Sequence, residues 1–142
     1  MKLRCQSNAA TTLPASYLDP RAGLDRNFVF PLTVGEAYVV YALLFRRDGV
    51  WYQLCDDNDL PYPMAYPAPL FELTSGKLSR YWTFALTPQH ADHLAILAIS
   101  EWAQDRFFYD RLTDGSREDV AVFARARGLM DREELSPQLS ST

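Results

Sequence analysis

The sequence predicts an α+β domain in which a strongly bent antiparallel sheet is followed by two or three C-terminal helices. Three observations carry this. Residues Ala37 to Phe45 (AYVVYALLF) form a run without charge or amide, rich in β-branched and aromatic side chains that suit a strand covered on both faces. Asp48-Gly49 then supplies two residues tolerant of positive φ, as a type I′ turn requires, and Val50 to Leu54 returns as the partner strand. At Thr87-Pro88 the apolar period changes from strand-like to helical.

The remaining elements follow in chain order. Lys2 to Gln6 alternates polar and apolar residues and reads as a first strand. Tyr17 to Asn27, with Pro20 and Gly23 close together, reads as a loop with at most one helical turn. The segment LPYPMAYPAP carries four prolines between Pro61 and Pro69, and a stretch so short of N–H donors belongs at a sheet edge or in an extended arm. Leu70 to Leu73 and Lys77 to Leu86 read as two more strands, joined by a turn at Ser75-Gly76. About five strands with short connections would curl into an SH3-like small barrel.

Thr87 as cap and Pro88 at the first position begin a helix over Gln89 to Gln104, with Leu94, Leu97, Ala98 and Trp102 as its inward stripe. Phe107, Phe108 and Leu112 continue a second helical piece up to Asp114-Gly115. Ser116 caps a third, its acidic first turn complements the helix dipole, and Gly128 marks its end. One domain is expected over 1–142, with a β-rich part at 1–86, a helical part at 87–128 and a polar tail at 129–142.

Composition narrows the classes of function. With 48% hydrophobic and 13% aromatic residues, the chain has ample apolar surface to fold unaided. No apolar run approaches the ~20 residues that span a bilayer, and the first fifteen residues hold no continuous apolar stretch, so a cytoplasmic protein is expected. Its two cysteines read as a reduced pair. Residues 1–86 hold eight basic and eight acidic side chains, while 87–142 hold six and ten, so the net charge of −4 belongs to the C-terminal part. That balance offers no basic stripe for nucleic acid and suits a basic protein partner.

The constellations that would carry catalysis are weak. A Cys-His nucleophile would have to come from Cys5, Cys55, His90 and His93, and Cys55 sits on a strand beside Asp56, whose carboxylate opposes thiolate formation. His90 and His93 stand one turn apart without a third ligand or an H-E-x-x-H motif, and read as solvated surface side chains. The run Asp56-Asp57-Asn58-Asp59 fails as a calcium loop, because Tyr62 occupies the glycine position and Ala68 the position of the closing Glu. There is no G-x-S-x-G elbow and no glycine-rich phosphate loop. The expectation is a protein that is not an enzyme and has no metal or cofactor.

Binding surface is the stronger signal. Tyr62 and Tyr66 lie in the proline-stiffened arm directly after the three carboxylates Asp56, Asp57 and Asp59, where rigid rings can anchor and acids can select a basic partner. These five residues are the candidate partner-binding site. The acidic helical face of Glu101, Asp105 and Asp110 competes with it. An alternative use of the aromatics is an adaptor platform of Trp51, Tyr52, Tyr62 and Tyr66 for an extended peptide.

The motifs LTVGEAYVVYALL, WYQLCDD and YPAPLFEL resemble a pattern found in small bacterial proteins encoded beside polymorphic toxins, among them immunity proteins of contact-dependent growth inhibition systems. The resemblance runs from about Phe28 to Trp82. Leu32, Thr33, Val34, Gly35, Tyr38, Val39, Tyr41, Asp56, Asp57, Leu70, Phe71 and Glu72 carry it. It implies a shared β fold and an immunity protein that blocks a cognate toxin, with a basic nuclease domain as the partner that the charge favours.

Overall fold

A computed structural model describes residues 1–90 and 92–135. The chain is α+β, with two antiparallel sheets and three helices at its C-terminal end. β1 (Lys2–Cys5), β2 (Ala37–Val39) and β6 (Phe71–Ser75) make a three-stranded sheet in the order β2-β1-β6. The larger sheet is ordered β5-β4-β3-β8-β7, from β3 (Ala42–Arg46), β4 (Gly49–Leu54), β5 (Met64–Pro67), β7 (Trp82–Leu86) and β8 (Ala95–Ile99).

The bend that the sequence implies is a change of sheet. The apolar run from Ala37 to Phe45 is not one strand, because it leaves the small sheet after Val39 and enters the large one at Ala42. The proline arm crosses back the same way, from β5 through a 3-10 turn at Ala68–Leu70 into β6. β5 is an edge strand, as its missing donors demand. Among the described residues the two sheets do not join into a closed barrel.

Three expectations are corrected here. The hairpin turn consists of Arg47 and Asp48, since Arg46 pairs with Gly49, and neither residue has the positive φ of a type I′ turn. β6 and β7 do not form a hairpin about Ser75-Gly76, because they lie in different sheets. The segment read as a helix over Gln89 to Gln104 contains instead the inner strand β8, and among the described residues its only helix is α1 (Ser100–Ala103). AILAI is short, β-branched and flanked on both sides by strands, so pairing with β3 and β7 outweighs the helical spacing of its leucines. Thr87-Pro88 starts the β7–β8 connection, closed by the Thr87 N–H on the Leu94 carbonyl at 2.8 Å.

One face of the large sheet packs on the small sheet through Leu3, Leu43, Leu54, Tyr66 and Leu70. Its other face carries Leu44, Trp51, Ile96 and Ala98 against α1, α2 (Phe108–Thr113) and α3 (Arg117–Glu134), which contribute Trp102, Phe108, Leu112, Phe123 and Met130. Ser116 caps α3 as expected, its side chain accepting from the Asp119 N–H. Gly128 does not end that helix. α3 continues to Glu134 because its last turns have partners: the Tyr41 hydroxyl donates to Asp131 at 2.6 Å, and Glu134 pairs with the N-terminal amine. The polar tail beyond residue 135 lies outside the described residues.

Candidate functional site

The acidic loop proves to be a bracing point. The Asp57 carboxylate accepts from the Thr33 hydroxyl at 2.6 Å and from the Tyr38 hydroxyl at 2.8 Å, while the Tyr38 oxygen accepts from the Thr33 N–H at 2.9 Å. Asp56 accepts from the Asn58 N–H at 2.9 Å and from the Tyr66 hydroxyl. Burial and the neighbouring Asp57 push the Tyr38 hydroxyl up to about 12. Thr33, Tyr38 and Asp57, three positions of the resemblance pattern, therefore meet as one hydrogen-bonded clasp, and Asp56, a fourth, ties the adjoining turn to Tyr66.

Tyr66 is 5% exposed and stands edge-on to Phe30 in the core, so it cannot serve as a surface anchor. Of the five candidate residues, Asp59 is fully outside, in a left-handed conformation with φ of 55°, and Tyr62 is half-buried against the helical core. The adaptor platform does not assemble. Trp51 and Tyr52 point to opposite faces of β4, Trp51 beside Tyr17 and Tyr52 against Phe71.

A cleft that sequence reasoning did not find lies on the helical face of the large sheet. Strand register places Leu44 opposite both Trp51 and Ile96, and puts Gln53 and Arg46 on the same face. Leu44, Gln53 and Ile96 make the floor, the β7–β8 connection makes one wall, and Trp102 to Asp110 makes the other. The cavity measures about 370 Å³. Trp102 and Tyr109 stack within it at 5.3 Å and 14°, and the Tyr109 hydroxyl is tied to the Pro63 carbonyl at 2.7 Å.

Among the described residues two polar atoms in this cleft lack partners. Gln53 is 3% exposed and its Oε1 accepts no hydrogen bond, and the buried Nε of Arg46 donates none. The Arg46 guanidinium lies 4.2 Å above the Trp51 ring, and among the described residues no carboxylate pairs with it. Asp48 is held by the Trp51 indole N–H at 3.0 Å. The sequence signal for Gln53 was present in outline: it is the one amide in VWYQLC, on the same face as Trp51.

His93 corrects the reading of solvated histidines. It is buried, stacks on His90 at 3.8 Å, and its Nδ1 lies 2.8 Å from the Thr87 hydroxyl. That hydroxyl donates its proton to the His93 carbonyl at 2.9 Å, so Nδ1 is the donor of the pair. Burial, with His90 and Arg46 nearby, lowers the imidazole to about 4. Burial likewise pushes the Cys55 thiol up to about 11. Among the described residues no three His, Cys, Asp or Glu side chains gather as metal ligands.

The competing acidic face is only partly free. Asp105 and Asp119 are both bonded by Arg111, at 2.8 and 3.0 Å, which holds both carboxyls below their usual range. Glu101 and Asp110 remain exposed. No described helix is long and apolar enough to cross a membrane. Comparison with protein-family models, curated proteins and solved structures finds no match to this chain.

Proposed function

We propose that this chain is a non-enzymatic immunity protein that holds a cognate toxin domain in an inactive complex in the cytoplasm of the producing cell. The observation that carries the reading is the uncovered end of the large sheet. β7 is an edge strand with open backbone groups, and Phe84 and Leu86 on it are 58% and 74% exposed. Leu94, in the β7–β8 connection, is also exposed. Apolar side chains of this size next to an unpaired edge suit a protein partner, which can add to the sheet and cover them.

The charges around this end support a basic partner. Asp92 and Asp110 flank the hairpin, and residues 87–142 carry the whole net charge. A nuclease domain, basic because it handles phosphates, is the partner this surface fits. The resemblance of Phe28 to Trp82 to toxin-linked proteins supports the same reading. Its residues serve as the clasp and the core, which leaves the contact surface to other parts of the chain.

The test is co-purification with the toxin encoded by the neighbouring gene. Leu86→Glu and Phe84→Asp weaken the complex by about tenfold or more, while Tyr62→Ala leaves it intact. Normal binding by both hairpin variants, with loss in Asp59→Ala and Tyr62→Ala, would return the interface to the loop.

A further inference from the structure

We propose that the cleft over Leu44, Gln53 and Ile96 is a binding site for a small organic acid that has an apolar ring or branched body and an N–H or O–H donor. The inference does not depend on the toxin reading, because it concerns the helical face of the sheet rather than its edge.

Each feature of the ligand answers a group in the cleft. Arg46 provides a cationic donor whose Nε is buried without a partner, and its seat on the Trp51 ring fixes the guanidinium plane. A carboxylate is the natural complement to that fork. Gln53 provides the opposite need, a buried amide oxygen without a donor, so the ligand brings an N–H or O–H. Between the two, Leu44, Ile96 and Trp102 offer an apolar lining, and about 370 Å³ falls in the range of small-molecule sites.

The rim carries charge of both signs: Arg106 lines the cleft as well as Arg46, and so do Asp92, Asp105 and Asp110, with Asp105 held by Arg111. His93, whose pKa burial lowers to about 4, adds no cation near neutral pH.

Indole-3-acetate is a suitable probe because it carries a carboxylate on C3 and an N–H donor at N1 of one apolar ring system. Calorimetric titration compares it with indole-3-acetamide, which lacks the charge, and naphthalene-1-acetate, which lacks the donor. Indole-3-acetate binds the wild-type protein, and each analogue binds about tenfold more weakly, the factor expected for one lost hydrogen bond or charge contact. In Gln53→Leu the advantage over naphthalene-1-acetate disappears while naphthalene-1-acetate itself binds as before, because the acceptor for the ligand's donor has been removed. In Arg46→Gln the advantage over the acetamide disappears. Should a variant fail to fold, the wild-type panel still decides. No heat with any probe at millimolar concentration, or equal affinity for all three, would overturn the proposal and leave the cleft to water.

Discussion

The Tyr66 hydroxyl donates to the Asp56 carboxylate from within the core, so the acidic loop is fastened to the interior by the same aromatic that its sequence suggested as a surface anchor. Burial first, and the Asp56 hydrogen bond second, raise that hydroxyl far above an ordinary tyrosine. Tyr66→Phe should cost about 1–3 kcal/mol in urea unfolding, because it leaves a part-buried carboxylate short of a donor. Its affinity for a partner should be unchanged. A variant as stable as the wild type would show that the bond contributes nothing.

Gly49 and Tyr17 make a second such pair. A Cβ at position 49 would lie 2.0 Å from the Tyr17 hydroxyl oxygen, and the residue has φ of 142°, where only glycine is comfortable. Gly49→Ala should therefore destabilise the fold by about 1–3 kcal/mol and displace the Tyr17 ring from Trp51. Near-ultraviolet circular dichroism reports that displacement. The same substitution in a Tyr17→Ala background should cost less, since only the backbone strain remains.

His93 makes stability depend on pH in a defined window. Folding lowers its pKa from 6.5 to about 4, so the folded state prefers the neutral ring. The full contribution is present above the unfolded value of 6.5, falls as the unfolded chain takes up a proton, and is lost as pH drops through about 4. Two to three pKa units correspond to about 3 kcal/mol at the acid end. His93→Gln should flatten the curve over this window relative to the wild type, with the acids common to both cancelling. Arg46, His90 and Asp92 face the ring and are retained in both proteins. Parallel curves for the two proteins would contradict the assignment.

The Cys55 thiol, pushed up to about 11 by burial, should resist alkylation near neutral pH in the folded protein and react on unfolding. Fast stoichiometric labelling accompanied by loss of an activity would instead revive an enzymatic reading.

Much of the fold was legible where one physical signal dominates. The proline segment had to be an edge or an extended arm and proves to be the edge strand β5, and Ser116 caps a helix as its sequence suggests, since in each case backbone donors decide. AILAI was misread because its spacing satisfies both periods, and the arbiter is pairing with strands that start about fifty residues earlier and about a dozen residues before it. Arg47-Asp48 took the turn from Asp48-Gly49 because Gly49 is needed as a strand residue facing Tyr17. For the site, the composition signal at Asp56 to Tyr66 was real but structural, a clasp of carboxylates and phenols. The cleft depends on which face Arg46 and Gln53 share with a distant hairpin and helix, a relation that no local pattern encodes.

Growth rescue is the direct test of the proposed toxin neutralisation. Cells expressing the product of the gene adjacent to this one are plated with and without this protein, and with its Leu86→Glu variant. Colonies are expected with the wild-type protein, few or none without it, and a marked loss of protection in the variant at equal protein level. Equal killing with and without the wild-type protein would contradict it.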